Sequence, residues 1–100
     1  MAAPSVTITK NAGEKWRVSV NFTDDLAAAG AGITIASTPT VAVAAGDVTA
    51  TYITYQTGGI VSLWVEGGTA ATVAMATVTA TYSNGEIVVG RVYVEIRAAQ

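Results

Sequence analysis

Among its 100 residues the chain has no cysteine and no histidine, only two prolines, and charge on just 12% of positions. Without cysteine there is no disulfide framework and no thiolate metal site, which excludes a small domain stapled by bridges. Without histidine the commonest general base is missing, and with it goes the usual partner of a serine or thiol nucleophile. A serine acylation site would need a lysine base. Ser5 with Lys10 and Ser19 with Lys15 are neighbours in sequence, but on strands they read as ordinary surface residues, so no catalytic residue is assigned and no enzyme is expected. Asp24-Asp25 lacks the regular D-x-D-x-D-G ligand pattern around it and reads as a helix cap or a solvated turn, so neither a metal nor a cofactor is expected.

Basic charge is equally sparse. Lys10, Lys15, Arg17, Arg91 and Arg97 are scattered in a chain of net charge −2, so there is no basic stripe to neutralise phosphates and nucleic-acid binding is not expected. The most apolar stretch, Leu26 to Ala36, is too short and glycine-rich to span a bilayer. Met1-Ala2-Ala3-Pro4 lacks the basic start and hydrophobic run of a signal peptide, so the chain is expected to be made and kept in a cytoplasm, with no membrane partner, unless something larger carries it out.

What is abundant is small and apolar: hydrophobic residues reach 51% and the mean hydropathy is +0.47. Two readings follow. Either partners in an assembly cover the surface, or alanine inflates the apolar count while its methyls sit harmlessly in water. With no break in composition, residues 5–98 read as one domain after a short arm at 1–4, long enough to bury roughly two-thirds of the unfolded chain's surface.

The pattern along the chain is that of strands and turns. Ser5 to Thr9 alternates, with Val6 and Ile8 on one face, and reads as an edge strand ending in the Asn11-Ala12-Gly13 turn. Lys15 to Phe22 is the clearest strand, with Trp16, Val18, Val20 and Phe22 on the core face. Thr23 or Asp24 can cap a turn or short helix through Ala29 that Gly30 and Gly32 end. Ile33 to Ala36 and Thr40 to Ala44 are short β runs separated by Pro39, and Gly46-Asp47 turns the chain again.

Val48 to Tyr55 and Ile60 to Glu66 flank Thr57-Gly58-Gly59 as a hairpin. In its second strand Val61, Leu63 and Val65 are the expected core face, which leaves Trp64 over the outer face or under a loop. Val73 to Tyr82 and Glu86 to Arg97 form the strongest hairpin signal, because Asn84-Gly85 suits the positive φ angles of a tight primed turn. In the last strand the apolar residues switch from odd (Ile87, Val89) to even positions (Val92, Val94, Ile96), and Gly90 at the switch predicts a bulge. Seven or eight short strands with turns about every ten residues predict an all-β, antiparallel, immunoglobulin-like β-sandwich, without the Cys, Trp, Cys spacing of an antibody domain.

Candidate functional residues are therefore aromatic. Tyr52, Tyr55, Trp64, Tyr82 and Tyr93 combine apolar bodies with polar edges, a combination favoured at protein interfaces; the alternative is that they cover sheet faces within one monomer. The Gly67-Gly68-Thr69 turn offers amides to an anion, but a strand rather than a helix follows it, so it reads as a corner. There Gly67 and Gly68 permit the reversal, and Thr69 and Thr72 can satisfy loop backbone groups.

The run W-V-E-G-G-T-A-A-T over Trp64 to Thr72 leads into a strand, the small turn Ser83-Asn84-Gly85, and a final strand G-R-V-Y-V-E-I-R. This succession resembles the C-terminal half of the phage fiber-tail adaptor proteins. Those carry a W-L-S-G-G-T-A-G-T-like corner, a Ser-Ala-Gly-like turn and an R-S-I-T-I-R-V-like last strand at matching spacing. The resemblance is close over residues 60 to 97, with Val65 and Glu66 where the family tends to Leu and Ser; Lys15 to Leu26 is similar in pattern, an alternating strand leading to an acidic corner and a leucine, and Ala27 to Ala45 has no stated match. It implies a non-enzymatic virion protein of a tailed phage, docking fibers onto the tail or connector and present as an oligomer or in many copies. The competing expectations are a capsid decoration or cement protein, and a module that presents Trp64 and tyrosines to host glycans.

Overall fold

A computed structural model of the protein describes residues 4–97. The elements run β1 (Ser5–Lys10), β2 (Lys15–Asn21), α1 (Thr23–Ala29), β3 (Thr40–Ala45), β4 (Val48–Tyr55), β5 (Ile60–Gly67), β6 (Val73–Thr81) and β7 (Ile87–Ile96). They form two sheets, a four-stranded one in the order β1-β7-β6-β3 and a three-stranded one in the order β2-β5-β4. All ladders are antiparallel except β1 with β7, which runs parallel at the edge of the larger sheet. The β run expected at Ile33 to Ala36 reduces to one bridge between Ile35 and Tyr82.

Period-two patterning makes these sheets one-sided, so each buries one face. Val18 and Val20 of β2 and Val61, Leu63 and Val65 of β5 meet Ala74, Ala76, Val78 and Ala80 of β6 and Val92, Val94 and Ile96 of β7 in a single core. Each fully buried valine or leucine stabilises the fold by about 1.5–3 kcal/mol. β6 contributes mostly methyl groups, and the larger Phe22 and Tyr82 rings, edge to face with centroids 6.4 Å apart, fill space beside it. Trp16 departs from expectation. It lies on the inner parity of β2 opposite Val65, yet it is 41% exposed at the start of an edge strand.

α1 forms where the alanine run predicts it, but neither Thr23 nor Asp24 caps it. Phe22 is the N-cap residue and makes no side-chain cap bond. Instead the Asn21 carboxamide oxygen accepts the Thr23 amide at 2.8 Å. Asp25 and Leu26 are the buried residues of the helix.

Two turn expectations need correction. In the β6–β7 hairpin only Gly85 has positive φ (94°), and the Gly85 amide donates to the Tyr82 carbonyl at 3.0 Å while the Tyr82 amide donates to Glu86. This is a three-residue loop over Ser83, Asn84 and Gly85 that ends on a left-handed glycine, not a two-residue primed turn. Nor is there a bulge at Gly90: the β6–β7 register is unbroken from Val73↔Glu95 to Thr81↔Ile87, with Gly90 opposite Val78. Odd residues of β7 face outward throughout, which leaves Ile87 67% exposed. Gly90 makes room instead. A Cβ there would lie 2.9 Å from Phe22 Cζ and 3.1 Å from Val20 Cγ1, atoms that reach it from β2 and the residue after it. Register shifts do occur elsewhere, between Val43 and Ala45 and between Tyr52 and Thr54, both on edge strands.

Candidate functional site

The outer faces of the two sheets differ in chemistry. On the four-stranded sheet, the register sets Thr7, Tyr93, Met75 and Ala45 in one row, and Ser5, Arg91, Thr77 and Ala42 in the next. Across its strands this face carries threonines and small apolar groups, and its charged side chains are Arg91 and Glu95, both exposed. Tyr93 is 38% exposed at its middle, and Val73 is 63% exposed.

On the three-stranded sheet the outer parity of β2 supplies Lys15 and Arg17, that of β5 Trp64 and Glu66, and that of β4 Thr49 and Thr51. Trp64 pairs across the ladder with Arg17 on one side and Thr51 on the other. The Lys15 ammonium sits 5.0 Å from the centroid of the Trp64 ring, where the negative face of the π system attracts it. Trp64 is thus half-buried on the outer face, as its parity predicts.

The remaining candidate aromatics lie apart from these two. Tyr52 and Tyr55 pair with Leu63 and Val61, so they face inward and pack on the core from the β4 edge while keeping part of their surface open. Tyr82 is 1% exposed and offers nothing to a partner. Its hydroxyl donates to Asp25 Oδ2 at 2.7 Å, and burial first, then the Asp25 carboxyl, pushes its ionisation well above the usual tyrosine range. The other Asp25 oxygen has no partner among the described residues. Asp25 is thus a core residue, not the solvated turn residue its sequence context suggests.

The corner between Trp64 and Thr72 carries the chain from one sheet to the other. Gly67 (φ 79°), Gly68 (φ 102°) and Ala71 (φ 64°) all adopt left-handed backbone. At Gly68 a side chain is excluded on a second count, because a Cβ would run into the Ile96 side chain. Thr72 Oγ1 donates to the Thr69 carbonyl at 2.6 Å. Thr69 turns elsewhere: its hydroxyl donates to Asp47 Oδ2 and its amide to Asp47 Oδ1 at 3.1 Å. The corner is also held from below by Lys10, whose fully buried ammonium donates to the Gly67 carbonyl at 2.7 Å and to the Asn11 carbonyl at 2.8 Å.

Sequence reasoning read Lys10 as an ordinary surface residue and Asp47 only as part of a turn; Lys10 is instead fully buried beneath the corner, and Asp47 bonds the corner at Thr69. A signal for Lys10 existed, since it shares the parity of Val6 and Ile8; Asp47 leaves none, because its partner is 22 residues away. The Thr69 hydroxyl, and then its amide, hold the Asp47 carboxyl below its ordinary value of 3.8. A depressed folded value makes this contribution to stability present above pH 3.8 and lost as pH falls through the folded value. Asp47→Ala is therefore expected to lower the melting temperature at pH 7 and to lose that deficit relative to the parent as pH falls below 3.8; parallel pH–melting curves would contradict this.

An open cleft of about 470 Å³ lies between the start of β1, the end of β2 and α1, with Asp24 and Asp25 in its lining. Among the described residues no group of three or more His, Cys, Asp or Glu stands together to hold a metal ion. No helix among them is long and apolar enough to cross a membrane.

What the arrangement presents is two extended faces and a braced corner. Among curated proteins no sequence matches the chain. A family of known proteins does: the profile described as podophage GP4 fiber-tail adaptor protein gp77 matches residues 10–95. That span begins on Lys10 and ends on Glu95, so it takes in α1, the corner and strands of both sheets. The chain belongs to the podophage GP4 fiber-tail adaptor family, a family of structural proteins of the phage tail.

Proposed function

We propose that the protein is a non-enzymatic component of the virion that docks tail fibers onto the tail or its connector. The observation that carries this reading is the family match over residues 10–95. The protein acts as one immunoglobulin-like β-sandwich spanning residues 5–98, with β1-β7-β6-β3 as one layer and β2-β5-β4 as the other. It is made in the host cytoplasm and binds other virion proteins with no cofactor, nucleic acid or membrane involved.

Contacts with the fiber and tail fall on the outer face of the three-stranded sheet and the aromatic edge, through Trp64, Tyr52 and Tyr55. A partner of matching shape gains most from such half-exposed aromatics, which lose little conformational entropy on binding. A glycan-binding role for Trp64 is disfavoured because the Lys15 ammonium already lies over its ring. No feature of the fold favours a capsid site over a tail site.

The test is direct. The purified protein, mixed with the connector and fiber proteins of the same phage, is expected to co-elute with at least one of them in size-exclusion chromatography. Trp64→Ala should weaken that association by about 1–3 kcal/mol, the range for truncating a buried interfacial aromatic. Reconstruction of the virion with density for this chain across the capsid lattice, and none at the fiber base, would defeat the proposal.

A further inference from the structure

The outer face of the four-stranded sheet has a charge pattern that is complementary to its own reversal. Along β7 the outward residues are Arg91, Tyr93 and Glu95, a cation and an anion placed symmetrically about an aromatic. The rest of that face is uncharged. Thr7 and Met75 flank Tyr93 in its row, Ser5 and Thr77 flank Arg91, and Thr9 and Val73 flank Glu95. Thr9 Oγ1 lies 3.4 Å from the Glu95 carboxylate, a long contact that leaves it open to a stronger donor.

We propose that this face pairs with the same face of a second copy of the chain, about a twofold axis that lies between the two sheets and crosses the strands at Tyr93. In such an isologous contact residue i meets j and j meets i. Stacking β7 antiparallel on its counterpart puts each Arg91 over the other copy's Glu95 and sets the two Tyr93 rings together at the centre. The reverse orientation, with strands parallel, would set Arg91 on Arg91 and Glu95 on Glu95, so charge selects the first. A different protein on this face would need its own matched cation and anion, whereas a second copy supplies both without further assumption.

The size of the face is compatible with a reversible pair. The strand residues that overlap about an axis at Tyr93, 5–9 of β1, 73–77 of β6 and 90–96 of β7, present about 300 Å² per copy at about 4.8 Å between strands and about 3.4 Å per residue, or about 600 Å² across the contact, the size of a weak and transient pair. Face-to-face sheets about 10 Å apart leave room for the tyrosine and methionine side chains of both copies. The exposed Ile87, beyond the stretch of β7 centred on Tyr93, stays available to other virion proteins. The pairing is independent of where the fiber binds, so it can fail while the adaptor reading stands, and the reverse.

Charge reversal supplies the test. Sedimentation equilibrium of the purified protein over a range of concentrations is expected to show a monomer–dimer equilibrium. Arg91→Glu and Glu95→Arg should each weaken the dimer by about tenfold or more, because each sets two like-charge pairs across the axis. The double variant Arg91→Glu/Glu95→Arg should return to the parent's dimer affinity. Glu14→Lys, in the exposed β1–β2 turn, alters net charge as much as Glu95→Arg and should leave the equilibrium unchanged. Circular dichroism and melting curves verify that each variant is folded. A protein that is monomeric at every concentration overturns the proposal. So does a dimer indifferent to the single reversals, or one that both singles break and the double fails to restore.

Discussion

Tyr82→Phe is expected to lower the melting temperature of the protein by about 12–40 °C, although it removes a single oxygen atom. The hydroxyl is the partner of Asp25 Oδ2, and Asp25 Oδ1 has none among the described residues, so the variant strands a carboxyl group in the core. Removing one member of a buried polar pair that includes a charge costs about 3–5 kcal/mol. In a domain of this size each kcal/mol shifts the melting temperature by about 4–8 °C. The double variant Tyr82→Phe/Asp25→Leu should recover most of the loss, since replacing both partners with apolar groups leaves nothing unsatisfied. A drop of only a few degrees in the single variant would mean that the carboxyl finds another donor. The same contact makes an alkaline prediction. Tyr82 ionises above its ordinary value of 10.0 in the folded protein, so its contribution is fully present below pH 10 and is lost as pH rises further. That component of alkaline destabilisation should disappear in Tyr82→Phe.

Gly90→Val ranks next, with an expected loss of about 3 kcal/mol, or about 12–24 °C in melting temperature. Gly90 is not among the glycines with positive φ, so the backbone alone would accept any residue, and valine favours strands. The cost comes from space. Besides Phe22 Cζ and Val20 Cγ1, Pro4 Cγ would lie 3.3 Å from a new Cβ, and two further methyls have nowhere to go. Combining Gly90→Val with Phe22→Leu should restore part of the stability by vacating the ring's position. If thermal denaturation showed Gly90→Val to be as stable as the parent, the close approach of the two sheets at this point would be wrong.

Gly90 also shows where sequence legibility stops. The switch from odd to even apolar positions in β7 is visible in the chain, and a bulge is the local way to explain it. The actual explanation is non-local: Ile87 and Val89 stay on the outer face, and the glycine accommodates a phenylalanine about seventy residues earlier. Strand periodicity is the local signal that holds, whereas the Asn84-Gly85 primed turn and the Thr23 or Asp24 cap, equally local, do not. Period two in Lys15 to Phe22 and Ile60 to Glu66 identified β2 and β5, the Thr57-Gly58-Gly59 loop identified the β4–β5 hairpin, and parity put Val61, Leu63 and Val65 in the core with Trp64 outside.

The sequence offers aromatics as candidates for the site but does not sort them. Burial divides them: Tyr82 belongs to the core, Tyr93 and Trp64 to opposite outer faces, and Tyr52 and Tyr55 to an edge. No sequence pattern distinguishes a tyrosine that bonds a buried aspartate from one that faces solvent, because the deciding partner, Asp25, is 57 residues away. The pairing of β1 with β7 is equally remote, and only through it do Thr7 and Tyr93 become neighbours.

The seat of Lys10 has a practical corollary. The chain has two lysines, and one of them is sealed inside with its ammonium spent on two carbonyls, while Lys15 is exposed beside Trp64. Amine-reactive dyes, crosslinkers and coupling chemistries therefore find a single lysine handle on the folded molecule. A label placed there reports on the Trp64 face and masks it, and a protein immobilised through it turns the Tyr93 face toward solution.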